Sequence, residues 1–348
     1  MNAPPGPALV SSTRSTQGAQ DAPAHAAAPR RDMLIDVVRG ISIVLVALGH
    51  TNLGILHRGW WGSSNAGMRL SVAIYSFHMP AFFFVSGVFL RPGVEKRGEK
   101  HYTLVKLRTM IYPYVLWAFI FAGATIPFAR FMMQPTPGWR LFFFDLITGN
   151  TSWFLPTLFF ALMLGMLTRR IPTPLLFVLA AIVCIYGPHT NVGFFERGIR
   201  NFPFLVTGMW VGSSFTHMQR IPRVLAFVFA TVFAIVIFVV TGEPYGWSGY
   251  LFIPLGLLGT LMLMLVARGL GSSMAARALA WTGAASFGIF LLSSFPQGAG
   301  REFLARVLHT TAPWPQLIFP TVLAVLVPAW LYHRRTRLHI EWMFVWPF

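Results

Sequence analysis

Charged residues and cysteine are both scarce in this chain, and each scarcity excludes a class of protein. Only 11% of the residues are charged, whereas a soluble domain carries about a quarter. Together with a hydrophobic fraction of 55%, this excludes an ordinary soluble protein and indicates an all-α, polytopic membrane protein. The single cysteine, Cys184, excludes internal disulfides and a cysteine-based metal site, and its apolar surroundings predict a buried, unreactive thiol.

Acidic residues are the scarcer charge: 10 Asp and Glu stand against 27 Lys and Arg, and the formal net charge is +17. In a soluble protein this excess would suggest nucleic-acid binding. In a membrane protein Lys and Arg accumulate in cytoplasmic loops and set the topology. We therefore expect the lipid bilayer as the surroundings and no nucleic-acid partner.

Apolar segments separated by short breaks predict about ten transmembrane helices. If the N-terminus is inside, the inner loops carry more than twice as many Lys and Arg as the outer loops, which predicts cytoplasmic N- and C-termini. No internal repeat is evident. The predicted spans are 34–56, 70–90, 109–130, 152–168, 173–188, 199–217, 224–241, 249–267, 278–298 and 315–333.

The chain is predicted to have one membrane domain between two tails. Residues 1–31 are rich in Ala, Pro, Ser and Thr and contain no sustained apolar run, so they predict a disordered cytoplasmic tail without a cleaved signal peptide. Residues 32–335 form the transmembrane domain. Residues 336–348 are predicted to be a short cytoplasmic C-terminal tail.

The first span carries three ionisable side chains, which are costly in a membrane and indicate a functional site. Asp36 and Arg39 are three residues apart and therefore share one helical face. His50 follows Arg39 by eleven residues, close to three turns, so it falls on the same stripe roughly 16 Å further along. The pattern predicts one polar seam on an otherwise apolar helix, with the Asp36 end facing the cytoplasm.

A second intramembrane histidine, His78, lies in the next span. If the two spans are antiparallel neighbours, His78 and His50 lie at similar depths in the outer half of the membrane. A functional role and a structural, hydrogen-bonding role both remain open for His78. Two imidazoles without a clear third ligand predict no metal site.

The basic segment 91–108 is predicted to be a cytoplasmic loop. Topogenic charge and contact with anionic lipid explain most of it, but it also suits docking of a phosphorylated ligand. Lys106 and Arg108 directly precede the third span and are best placed to face an intramembrane cavity. Trp153, at the start of the fourth span, is ordinarily an interfacial anchor.

These motifs together resemble the acyltransferase 3 family of integral-membrane O-acyltransferases. Arg39 and His50 match its Arg-x10-His signature, and the likeness covers about residues 32–335. The sequence of the second span looks closest to that of the branch grouped with fucose O-acetylases. Relatives often carry His where this chain has Ser293, and the chain looks like a stand-alone member. The other blocks in the family's order are SFHMPAFFFVSG at 76–87, KLRTMIYPY at 106–114, SWFLPTLF at 152–159 and ASFGIFLLSS at 285–294.

The resemblance implies transfer of an acyl group, usually acetyl, from cytoplasmic acyl-CoA to a sugar hydroxyl of a surface glycan or glycolipid. It places the protein in the bacterial cytoplasmic membrane, with acetyl-CoA as co-substrate and no bound cofactor. The extended pantetheine arm of the donor is expected to run along the polar seam. The oligomeric state is not predicted.

Within this scheme each candidate residue has an expected role. We expect His50 to act as general base, and direct transfer and an acyl-histidine intermediate both remain open. Asp36 and Arg39 are expected to form a pair at the inner mouth, and His78 to orient the acceptor, stabilise the oxyanion or hold helices together. The residues expected to bind the donor are Arg91, Lys106, Arg108 and Trp153.

Two other functions fit the same polar seam. A proton-coupled transporter or glycolipid exporter also uses ionisable groups at mid-depth, although no inverted repeat or pair of broken helices is evident. A membrane scaffold or sensor with an inert seam is the second alternative.

Overall fold

The computed structural model describes Met1 and residues 33–125, 139–148, 153–187, 193–212, 222–240 and 249–347. In these ranges the regular elements are all helical, which confirms the all-α prediction, and no β-strand occurs there. The predicted N-terminal tail lies outside the described residues, apart from Met1.

The described ranges contain sixteen α-helices. Two π-helical turns lie at Leu107–Ile111 and Phe303–Val307, and a 3-10 turn lies at Glu341–Met343. The α-helices are α1 Met33–His57, α2 Ala66–Tyr75, α3 His78–Val88, α4 Leu90–Arg97, α5 Glu99–Lys106, α6 Tyr112–Thr125, α7 Trp139–Thr148, α8 Phe154–Thr168, α9 Thr173–Tyr186, α10 Gly193–Val211, α11 Arg223–Val240, α12 Gly249–Leu270, α13 Met274–Ala284, α14 Ser286–Leu292, α15 Ser294–Glu302 and α16 Pro313–His333.

Several of these helices are long and apolar enough to cross a membrane, as expected of a multi-pass membrane protein. Among the described residues, five segments meet this criterion, and α13 with α14, bent by 60°, would add a sixth if the pair is one span. Each of the ten predicted spans overlaps a helix, but the number that cross the membrane and the side of each terminus stay predictions. The five segments are Met33–His57, Ala66–Arg97, Glu99–Gly123, Leu251–Leu270 and Pro313–His333.

Two stretches outside the predicted spans are also helical. The prediction of a loop at 91–108 is wrong, because α4, α5 and a π turn occupy nearly all of it. Lys, Arg, Glu and Leu favour helices, and the chain breaks at Gly98, whose φ of 75° is left-handed. Helix α7 was not predicted, since it is only 10 residues long and too short for a span.

Helix α1 lies at the centre of the described bundle, where it packs against α2, α3, α12, α13, α14 and α16. Its closest crossing is with α13. A Cβ built on Gly40 would lie 2.0 Å from the carbonyl oxygen of Leu279, and one on Gly283 would lie 1.8 Å from that of Asp36. Small residues let helix backbones approach closely in membranes, so these two glycines fix the distance between α1 and α13.

The C-terminal segment, predicted to be a tail, packs back onto α6. The indole nitrogen of Trp117 donates to the Met343 carbonyl at 2.8 Å, and the Trp346 amide donates to the Arg108 carbonyl at 3.3 Å. Phe344 is 1% exposed. Residues 341–347 are therefore part of the folded domain.

We predict that Gly40→Ala lowers the stability of the folded protein by about 1–3 kcal/mol, because the new methyl group has to push the α13 backbone away. Thermal unfolding in detergent, followed by size-exclusion chromatography, measures this. Gly123→Ala in α6 is the matched control, since nothing lies within 4 Å of its Cβ position. Equal stability of the two variants would contradict the tight crossing.

Candidate functional site

His50 is an exposed residue in the middle of the packed helix α1. The other residues of 33–56 are buried or half-buried, Gly49 and Thr51 on either side of His50 are buried, and the next exposed position is His57 on the last turn. The centroid of its ring lies 6.4 Å from that of Tyr75, with the planes at 86°. His50 is therefore open to a ligand from one side and held by packing on the other.

His78 is buried and is the first residue of α3, directly after the break between α2 and α3. Pro80 is the third residue of α3 and has no N–H to donate to the carbonyl four residues earlier, which favours a break at this point. The Nδ1 atom of His78 lies 2.6 Å from the Ile74 carbonyl. Because a carbonyl only accepts, Nδ1 carries the proton in this hydrogen bond.

Tyr75 separates the two imidazoles. Its ring centroid lies 4.8 Å from that of His78, at 81°, and its other neighbour is His50. The structure thus brings both predicted histidines to one level of the bundle through a residue that the sequence analysis did not select. The available signal was its position, three residues before His78 in the same predicted span.

A buried polar network holds the turn of α1 that carries His50. The side-chain amide of Gln297 donates to the Ala47 carbonyl at 3.0 Å and to the Thr51 hydroxyl at 2.8 Å. The hydroxyls of Thr321 and Thr51 are 2.9 Å apart. Buried polar groups of this kind specify geometry when their bonds are made. Helices α15 and α16 therefore fix the turn of His50 from one side.

Asn52 fixes the next position of α1 to α2. Its amide nitrogen donates to the Gly67 carbonyl at 2.7 Å and to the Ser71 hydroxyl at 2.8 Å. The Trp61 indole donates to its carbonyl oxygen at 2.9 Å. Because Thr51 and Asn52 are bonded to different helices, α1 cannot rotate at this point without breaking buried hydrogen bonds.

Ser293, the departure from the family pattern, is half-buried at the junction of α14 and α15. One turn later, Gln297 makes the contact with α1 described above. The side-chain amide of Gln297 thus connects α15 to the turn of α1 that carries His50. The sequence analysis missed Gln297 because nothing in its local pattern distinguishes it from a surface glutamine.

Asp36 and Arg39 lie together at the other end of α1, as the spacing predicts. A carboxylate oxygen of Asp36 is 3.9 Å from a guanidinium nitrogen of Arg39, and Asp36 is buried. The guanidinium carbon of Arg39 is 5.8 Å from the centre of the Phe89 ring. The α1 and α3 helices therefore run antiparallel, with Arg39 beside the end of α3 and His50 near its start.

Two buried apolar residues interrupt the predicted polar seam between Arg39 and His50. Ile43 and Val46 lie on the same face between them and are only 1% and 6% exposed. Both belong to a core that includes Phe83 of α3. Apolar residues occupy this stripe at intervals of about one turn. Their packing against the core closes the stripe. In this structure a donor arm cannot lie along this face of α1.

Three predicted donor residues lie on the helical segment that replaces the predicted loop. Lys106 is close enough to Arg39 and Arg97 for their charges to interact, and its amine is 5.3 Å from the Tyr102 ring centre. Arg91 donates to the Arg169 carbonyl at 3.2 Å. Arg108 is exposed. Basic side chains thus gather at the Arg39 end.

Trp153 lies apart from these three residues. It precedes α8, whereas Arg169, the partner of Arg91, follows α8. The 15 residues of α8 separate the two by about 22 Å. The Trp153 ring centre is 5.1 Å from the guanidinium carbon of Arg197. The structure therefore does not bring the four predicted donor residues together.

Among the described residues, no group of three or more His, Cys, Asp and Glu side chains is arranged to hold a metal ion. What this part of the chain offers is an accessible imidazole at one level and a basic cluster at another. This arrangement suits proton transfer at one level and binding of an anionic ligand at the other.

Comparison with known proteins gives one family. A family model described as an acyltransferase domain matches residues 34–333, which includes all of α16 and all of α1 except Met33. No curated protein and no solved structure gave a significant match.

We predict that Thr51→Val destabilises the protein by about 1–3 kcal/mol, because it leaves a buried amide and a hydroxyl short of an acceptor. Thermal unfolding in detergent measures the loss. Thr231→Val on α11 is the matched control, since its exposed hydroxyl bonds only to the Phe227 carbonyl of its own helix. A similar shift in both variants would show that the network does not fix the α1 turn.

Proposed function

Because the chain belongs to the acyltransferase 3 family and is a membrane acyltransferase, we propose that it moves an acetyl group from acyl-CoA to a sugar hydroxyl. We further propose a surface glycan or glycolipid as acceptor and the bacterial inner membrane as location. The accessibility of His50 in a rigidly held turn of α1 is the observation that carries this proposal.

His50 acts as the general base. The acceptor oxygen attacks the thioester carbonyl and its proton passes to the imidazole. The carbon–sulfur bond then breaks, and the CoA sulfur leaves as a thiol with the proton from the imidazolium. The hydrogen bonds of Thr51 and Asn52 to neighbouring helices support this role, because a general base needs a fixed position.

His78 supports the site without contacting the acceptor. Its exposed fraction is 2%, its Nδ1 proton is held by Ile74, and its ring packs against Tyr75. These contacts favour the structural role that the sequence left open. We propose that His78 keeps Tyr75 against His50.

The nucleotide end of the donor binds at the Arg39 end. Arg and Lys side chains suit the phosphates of CoA, and Lys106, Arg39, Arg91 and Arg108 lie on elements near this end. The length of α8 puts Trp153 about 22 Å from Arg169, whose carbonyl accepts from Arg91. Trp153 therefore contacts only the thioester end of the donor. Because Ile43 and Val46 close the face of α1, the pantetheine arm reaches His50 along another face.

Transport is a second candidate, favoured by the 60° bend between α13 and α14, since transporters use discontinuous helices at their substrate sites. Proteoliposomes separate the two functions. Movement of a labelled glycolipid without acyl-CoA would favour transport, whereas label transfer from acetyl-CoA without such movement would favour acylation.

We predict that His50→Ala lowers acetyl transfer by about 10²- to 10⁴-fold, because the general base is lost. The measurement is transfer of labelled acetyl from acetyl-CoA in proteoliposomes containing glycolipid. His57→Ala is the matched control, since His57 is an exposed histidine on the last turn of α1 and should leave the rate within twofold. Full activity of a folded His50→Ala protein would refute the assignment.

We also predict that Lys106→Ala weakens binding of acetyl-CoA about tenfold or more, the order expected from losing a hydrogen bond to a charged group. Equilibrium dialysis with labelled acetyl-CoA gives the dissociation constant. Lys100→Ala removes the same charge from an exposed position of α5 and should change the affinity much less. Equal affinities for the wild type and Lys106→Ala would leave the basic segment with a topogenic role only.

A further inference from the structure

The guanidinium of Arg301 lies beside α1, one turn beyond His50. A Cβ built on Gly54 would lie 2.3 Å from a terminal nitrogen of Arg301, so the guanidinium occupies the space that a side chain at 54 would take. Gly54 follows His50 by four residues, which is about 6 Å along the helix on nearly the same face. Arg301 is therefore a near neighbour of the accessible imidazole.

Arg301 lacks a carboxylate of its own among the described residues. The one acidic side chain beside it, Glu302, is bonded to Arg58 at 2.5 Å and to Arg306 at 2.8 Å. The Nε atom of Arg301 is buried and has no hydrogen-bond partner in the described part of the chain. Three guanidinium groups thus surround one carboxylate, and the cluster carries two excess positive charges.

The charge of Glu302 is fixed by these same neighbours. Partial burial raises the pKa of Glu302, but the hydrogen bond from Arg58 and the charges of Arg58 and Arg306 outweigh burial and hold this pKa below its usual value. Glu302 is therefore ionised at neutral pH and already occupied. Glu302 also attracts Arg301 electrostatically, but its carboxylate oxygens are bonded to Arg58 and Arg306 and not to Arg301.

A buried guanidinium donor without an acceptor costs free energy. An anion supplied by a ligand removes that cost. The planar fork of arginine is suited to a carboxylate or phosphate, which it binds through two parallel hydrogen bonds. Both the unpaired Nε and the excess positive charge point to such a ligand.

We propose that Arg301 binds an anionic group, a carboxylate or a phosphate, on the acceptor whose hydroxyl is acylated at His50. This inference rests on the proposed function and narrows its acceptor to acidic sugars and sugar phosphates. The separation of about 6 Å between the two levels of α1 is of the order of one sugar ring. The charged group therefore belongs to the acylated sugar or to its immediate neighbour.

Equilibrium dialysis of the full chain in dodecyl maltoside, without acyl-CoA, tests this with two probes. We expect p-nitrophenyl glucuronide to bind at least about tenfold tighter than p-nitrophenyl glucoside, as one charge-assisted contact implies. Arg301→Gln should reduce this preference to twofold or less. Gly54→Ala should also reduce it, because the methyl group displaces the guanidinium without changing any charge.

Arg69→Gln is the matched control. Arg69 is an exposed arginine of α2 and lies outside the cluster of Arg58, Arg301, Glu302 and Arg306. Its loss therefore removes one positive charge while that cluster and Gly54 stay in place. We expect the preference for the glucuronide to persist in this variant. Its disappearance would assign the selectivity to general surface charge and overturn the proposal.

Three further outcomes would also overturn it. The first is equal binding of both glycosides by the wild type, and the second is an unchanged preference in folded Arg301→Gln and Gly54→Ala. The third is loss of glucuronide binding when phosphatidylglycerol is added to the micelles, which would assign the site to a lipid headgroup. Since the dialysis needs no acyl transfer, a retained preference without transfer would refute only the proposed function.

Discussion

The position of His50 depends on how tightly α1 is held by its neighbours. At one end the backbone of α13 approaches α1 so closely that Gly40 and Gly283 leave no room for a methyl group. At the other end, buried hydrogen bonds of Thr51 and Asn52 reach three different helices. Within a membrane such bonds have no competing water, so α1 serves as a fixed frame on which an accessible imidazole is displayed.

This frame separates two kinds of chemistry. Basic side chains gather around Arg39 and Lys106, and the imidazole lies about three turns away, with Ile43 and Val46 packed between them. A polyanionic ligand can therefore be held at one level while proton transfer takes place at another. The apolar barrier between the levels also keeps the two polar regions from forming one continuous water-filled path along α1.

Much of the site follows from helical periodicity in the sequence. The pairing of Asp36 with Arg39 is a consequence of spacing within one span, and the common level of His50 and His78 follows from their depths in two spans that pack antiparallel. The Gln297 contact could not be predicted in this way, because it joins residues 250 positions apart and depends on how α15 packs. The burial of Ile43 and Val46 within the seam was not predicted for a related reason. Whether an apolar residue on a polar stripe is buried depends on the helix that packs against it.

The packing of residues 341–347 against α6 has a consequence for the order in which the chain acquires its structure. The Trp117 indole donates to a carbonyl 226 residues later in the chain. Loops of such length close slowly and at an entropic cost. During synthesis, the Trp117 donor on α6 therefore meets this carbonyl only after α16 and the segment that follows it have emerged. The contacts that complete the basic end of the protein thus form long after α6 itself has been synthesised.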